Sequence, residues 1–221
     1  MPREGFDREL EQLQDQVLEL GSMVDRSIDR AIAALVGRDV ELAEAVVRED
    51  DEVNRARYEI DTACLAMLAQ QAPVAGDLRV IVSVLSIVGE LERIGDHAEG
   101  IGRIVIMMAD EPLVKPLVDI PLMAKRARQM LRDSLTAFSE RDVPAARLVG
   151  EADDEVDALQ EHVYHDLIEI MLRDPSAVVP CTHLLWVSHN LERIADRATN
   201  VAERAVFMAT GTQTEMNIST Y

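Results

Sequence analysis

Glu92 and Asp96 stand four residues apart in LERIGDHAEGIG, and Glu192 and Asp196 stand four apart in LERIADRATNVA. Six of the twelve positions in these two stretches are identical, at an offset of 100 residues. On an α-helix a spacing of four puts two side chains on one face, about one turn apart. A companion pair precedes each stretch: Asp50 and Asn54 in DDEVN, and Asp153 and Asp157 in DDEVD. In the second copy Asn200 and Glu203 extend the acidic line, where the first copy has Gly100 and Arg103. Donor sets made only of carboxylate and amide oxygens suit a hard or borderline metal ion.

Like charges at this spacing destabilise a helix by a few tenths of a kcal/mol per pair, about 0.2–0.5. Two kinds of cation can offset the crowding: a metal ion held between the pairs, or the neighbouring guanidiniums of Arg93, Arg193 and Arg197. His97 also invites a metal reading, but the second copy has Arg197 in its place. His162, His165, His183 and His189 carry no partner spacing that reads as a ligand set and are expected in core or surface roles.

Catalysis is the weaker expectation. A carboxylate-bridged di-metal oxidase of the ferritin-like kind, or a metal-storage bundle, is the alternative, but such sites use Glu-x-x-His pairs. No histidine of this chain has a glutamate three residues before it. Neither a Walker-type phosphate loop nor a nucleophile elbow is present.

The elements that must position these acids are helices. Val80, Val84, Ile87, Leu91, Ile94, Ala98, Ile101, Val105 and Met108 step by alternating fours and threes, and Leu184 to Met208 repeat the pattern. That is an apolar seam along one helix face. GRDVELAEAVVREDDEVN also resembles ERDVPAARLVGEADDEVD, at an offset of 103, so the chain is a tandem duplication. Its period predicts helices over 5–36, 40–71 and 75–109, then 118–138, 143–173 and 177–209. Short connections make neighbours antiparallel. The expected fold is therefore all-α: six helices in two tandem three-helix bundles related by pseudo-two-fold symmetry. Pro112, Pro116 and Pro121 mark the expected linker, dividing the chain into 1–111 and 112–221, the latter ending in a short polar tail.

Composition narrows the function. Forty-one acidic residues against 22 basic ones give a net charge of −19, which disfavours nucleic acid and favours cations or basic protein surfaces. With 48% hydrophobic residues this is a folding sequence, not an acidic tail. Two cysteines are too few for a disulfide framework, no apolar run approaches a membrane span, and the opening MPREGFDRELEQLQ lacks a signal-like apolar region. A cytoplasmic protein with no direct membrane insertion is expected.

QAPVAGDLRVIVSVLSIVGELERIGDHAEGI closely resembles the first-repeat signature of the PhoU family, and NLERIADRATNVAER resembles the second. The likeness extends over about residues 8–210. It implies a non-enzymatic negative regulator of phosphate uptake and phosphate-starvation signalling, acting on the ATPase subunit of a phosphate ABC transporter and on a membrane sensor histidine kinase. It also implies a homodimer, peripheral at the inner face of the cell membrane through its partners. Metal ions are implied on the bundle surface, iron or zinc first, magnesium or manganese as alternatives. The family's E/D-x-x-x-D motif maps onto Glu92–Asp96, Glu192–Asp196 and Asp153–Asp157. At Asp50–Asn54 its last acid is an amide, and Gly100 stands where the family often has asparagine. Both departures fall in the first repeat and leave it the poorer donor set.

Overall fold

The computed structural model describes residues 2–111 and 113–216. Six helices carry the chain: α1 (Pro2–Gly37), α2 (Val40–Gln71), α3 (Ala75–Met107), α4 (Asp119–Glu140), α5 (Val143–Arg173) and α6 (Val178–Thr210). A single 3-10 turn, Pro175–Ala177, precedes α6, and there is no strand among the described residues. The all-α expectation holds, and the bounds of α2 and α5 coincide with those read from the sequence.

The duplication is visible in the turns. Arg38 and Arg141 adopt the left-handed conformation, with φ of 54° and 56°. The next residue's N–H then closes back on the preceding helix, Asp39 on Ala34 O at 2.9 Å and Asp142 on Ala137 O at 3.0 Å. The same aspartates cap the following helix, accepting from Leu42 N–H at 2.9 Å and from Ala145 N–H at 3.0 Å. One Arg–Asp dipeptide thus ends a helix and starts its antiparallel neighbour.

α3 packs against α1 and α2, and α6 against α4 and α5. The two bundles join where α3 meets α6, with α1 against α4 beside them. The seams read from the sequence, Val80 to Met108 and Leu184 to Met208, are buried throughout. At the α3–α6 contact the pairing is reciprocal. Glu90 Oε2 lies 3.3 Å from Arg197 Nη1 and accepts from Asn200 Nδ2 at 3.1 Å. Asn190 Oδ1 lies 2.9 Å from His97 Nδ1, and a Cβ on Gly100 would come within 3.3 Å of the same oxygen. Position 90 faces 197 and 200, while position 190 faces 97 and 100. That exchange is the approximate two-fold axis.

Two local expectations change. Pro121 lies in the first turn of α4 rather than in a linker, because a helix's first turn does not need the N–H that proline lacks. Pro112 lies outside the described residues. The segment after Gly211 is not simply a solvated tail. Met216 N–H donates to Glu203 Oε1 at 2.8 Å, and the Met216 side chain lies against Gly150 and the core. Residues 217–221 lie outside the described part of the chain.

Candidate metal centre

Each acidic pair sits beside a buried apolar ridge. In the first unit Val46 and Val53 turn α2 inward, and Leu91 and Ile94 do the same for α3. Asp50, Asn54 and Glu92 are therefore left half-buried at the groove between the two helices, with Asp96 at its outer edge. Gly95 makes the approach close: a Cβ there would lie 3.1 Å from Val53 Cγ1 and 3.2 Å from Asp50 Oδ1. Asn54 Nδ2 donates to Asp50 Oδ2 at 2.7 Å and holds that carboxylate over the glycine.

The electrostatics follow from this crowding. Burial, then the charges of Asp96, Glu99 and Glu92, push the Asp50 carboxyl up to about 6, against the lowering effect of the Asn54 hydrogen bond. Asp96 is raised as well, by burial and by Glu99. In the second unit burial and Asp196 push Glu192 up to about 7, with Asp157 adding to the effect. Asp157 is itself raised by burial and by Asp196. Asp153, the counterpart of Asp50, is buried in α5.

These residues fit an oxygen-preferring cation. Among the described residues no lysine or arginine forms an ion pair with Asp50, Glu92, Asp96 or Asp157. Glu192 Oε2 is buried without a hydrogen bond; His189 Nδ1 is 3.2 Å away but misaligned for one. The arginine alternative is realised only in part. Arg193 pairs with Asp196, Arg103 with Glu99, and Arg93 with Glu90.

The two halves of this arrangement are what a known domain repeats. The PhoU domain family model matches residues 17–105 and 120–205. The chain belongs to the PhoU family. It is 36% identical over 218 residues to the phosphate-specific transport system accessory protein PhoU homolog of Clostridium acetobutylicum, covering 98% of this chain and 100% of that one. To the homolog of Aquifex aeolicus it is 40% identical, covering 92% of each. The crystal structure of PhoU from Pseudomonas aeruginosa superposes with a TM-score of 0.90 at 33% identity, over 94% of this chain and all of that chain.

Within this PhoU-family chain, Asp50 beside Asn54 on α2 faces Glu92 and Asp96 of α3, and Asp157 of α5 faces Glu192 and Asp196 of α6, near enough for their charges to oppose one another's ionisation. Asp153 of the expected set is buried on α5, and the remaining two residues turn elsewhere. Asn200 is turned to Glu90 across the bundle contact, and Glu203 accepts from the Met216 backbone. They continue the acidic line in sequence, but α6 is crossed by α3 at that height and covered by the returning chain beyond it. Glu99, which the set omitted, faces Asp50 and Asp96 electrostatically and is held by Arg103.

His162 lies at the surface, one of the two places expected for it, but with partners that the expectation does not include. Asp119, His162 and Asp166 bring their donor atoms within 4.8 Å of one another, the one group of three to do so among the described residues. The sequence held a signal for it, since His162 and Asp166 are four apart. Lys115 already supplies the positive charge there, 2.5 Å from Asp166 Oδ2 and 3.6 Å from Asp119 Oδ2.

Proposed function

We propose that this chain is a non-enzymatic accessory regulator of phosphate-specific transport, carrying a divalent cation at each acidic patch. The observation that carries the reading is family membership over nearly the whole chain, among relatives named as accessory proteins of that transport system. Its sense is negative regulation: restraint of uptake and of starvation signalling through the transporter's ATPase subunit and a sensor kinase, with the chain acting as a homodimer. No described helix is long and apolar enough to cross a membrane. A net charge of −19 repels bare anionic lipid and steers encounter with basic protein surfaces.

Asp50, Asn54, Glu92 and Asp96 would hold the cation of the first unit, and Asp153, Asp157, Glu192 and Asp196 that of the second. The donors are all oxygen, which favours iron, manganese or magnesium over the nitrogen- and sulfur-rich sites typical of structural zinc. A bound cation would supply the positive charge that offsets the crowded carboxylates. The chain's own residues fix its orientation: Asn54 aligns Asp50, and Arg193 aligns Asp196. One carboxylate more in the middle helix gives the second patch the tighter grip.

The test is deletion in the source cell, followed by phosphate uptake and phosphate-responsive transcription in rich medium. Both should be derepressed; unchanged repression with no paralogue present would end the regulatory reading. Metal analysis of protein purified without chelator or affinity tag tests the patches separately.

A further inference from the structure

Trp186 is the only tryptophan of the chain, and it is half exposed. It lines a groove of about 860 Å³ between α5 and α6 together with Tyr164, which is 51% exposed, and with Asp154, Asp157, Glu161 and His189. Leu185 forms part of the same wall. Aromatics are 3% of this chain, so two large exposed rings in one acidic groove are not incidental surface.

The duplication supplies an internal comparison. Tyr164 and Trp186 correspond to Asp61 and Ser86 in the first unit, and Gln160 and Glu161 correspond to Arg57 and Tyr58. There the Arg57 guanidinium sits 5.0 Å from the centre of the Tyr58 ring, and its Nε is 3.0 Å from Asp61 Oδ2. The first unit thus satisfies an aromatic ring and a carboxylate with an arginine of its own. The second unit keeps aromatic rings and carboxylates, and has glutamine where that arginine was. Among the described residues no lysine or arginine lines this groove; its bases are His189 and, 3.7 Å from Glu161 Oε1, His165, so it is complementary to a permanent cation.

We propose that this groove receives an arginine-bearing amphipathic segment of a partner protein, the guanidinium over Trp186 and against Asp154 and Glu161, the apolar residues on Leu185 and Tyr164. A guanidinium over tryptophan is the strongest pairing of this type, and planar arginine also matches carboxylates. The choice of a protein occupant rests on the accessory reading; the recognition chemistry does not. The pairing makes the second bundle, and not the first, the docking face.

Trp186 reports on its own occupancy. A short helical peptide of leucine and arginine should shift its emission saturably, with affinity falling as salt rises, and the leucine–glutamate version should not. Asp154→Lys with Glu161→Lys should weaken the peptide by about ten-fold or more. Glu9→Lys with Glu11→Lys, on the exposed face of α1, makes the same change in net charge and should cost less than about two-fold. Equal losses from the two variants would reduce the effect to the general negative field and overturn the proposal. So would peptide binding that leaves Trp186 emission unmoved. A dimer that dissociates in Trp186→Ala on sedimentation would name a second copy as the occupant, which also overturns it. In cells, Tyr164→Ala with Trp186→Ala should fail to restore repression to a deletion strain at normal protein level. Full restoration would sink the groove and leave the accessory reading standing, whereas a deletion without phenotype would sink that reading alone.

Discussion

Asn200 donates to Glu90 across the contact between the two bundles, at 3.1 Å, on an oxygen that also faces Arg197. This side chain therefore belongs to the join between the bundles, although its sequence position extends a metal-like acidic line. Asn200→Ala should lower stability by about 1 kcal/mol, the net worth of one hydrogen bond. Bound metal should not change. Glu90→Ala should cost more, about 2–3 kcal/mol, because it leaves Arg197 uncompensated in a half-buried place. Urea unfolding with metal analysis of the same samples checks both.

Glu192→Ala combined with Asp196→Ala should abolish cation binding at the second patch, and Asp50→Ala combined with Asp96→Ala should do so at the first. If added manganese or iron raises the melting temperature equally in parent and variants, the patches are only solvated faces.

The pH dependence has a definite sign. Asp50 and Glu192 ionise at about 6 and about 7 when folded, against 3.8 and 4.5 for the ordinary side chains. A raised carboxyl binds its proton more tightly in the folded chain, so the metal-free protein should lose stability as pH rises from about 4 to about 7. Divalent cations compete with those protons, so their affinity should climb over the same window. Melting temperature measured across it, with and without cation, should diverge toward high pH. Parallel curves would contradict the assignment of the patches.

Asp39→Ala and Asp142→Ala should each cost about 1 kcal/mol, the usual worth of an N-cap side chain. The two losses should add, since the caps sit in different bundles. Chemical denaturation of the single and double variants measures this.

Cys64 and Cys181 are buried and free, and burial pushes the Cys64 thiol up to about 12. Iodoacetamide should label neither at neutral pH until denaturant is added.

The helices were legible because their signals are local. The bounds 40–71 and 143–173 follow from Asp39, Asp142 and an unbroken apolar period. α4 runs to Glu140, past the expected 138, because Arg141 takes the left-handed residue that ends it. Within the candidate site, the pairs at a spacing of four were legible for the same reason: one helix decides them. Asn200 and Glu203 were not, since their direction depends on where α3 and the returning chain at Met216 cover α6. The Asp119–His162–Asp166 group brings the start of α4 to the middle of α5, and only its half within α5 could be read from spacing.

The reciprocal contact of α3 and α6 has a consequence for how the two halves can diverge. In a dimer of identical half-chains, any change at one end of the shared face is repeated at the other. Covalent fusion removes that coupling. Glu90 is matched to Arg197 and Asn200 at one end, and Asn190 to His97 and Gly100 at the other. Each end is written with its own letters. A symmetric half-chain dimer carrying glutamate at both positions would need a cation at both, and His97 is held below its usual pKa by burial and would not supply one. The linker thus does more than hold two bundles near each other: it gives the molecule a left and a right.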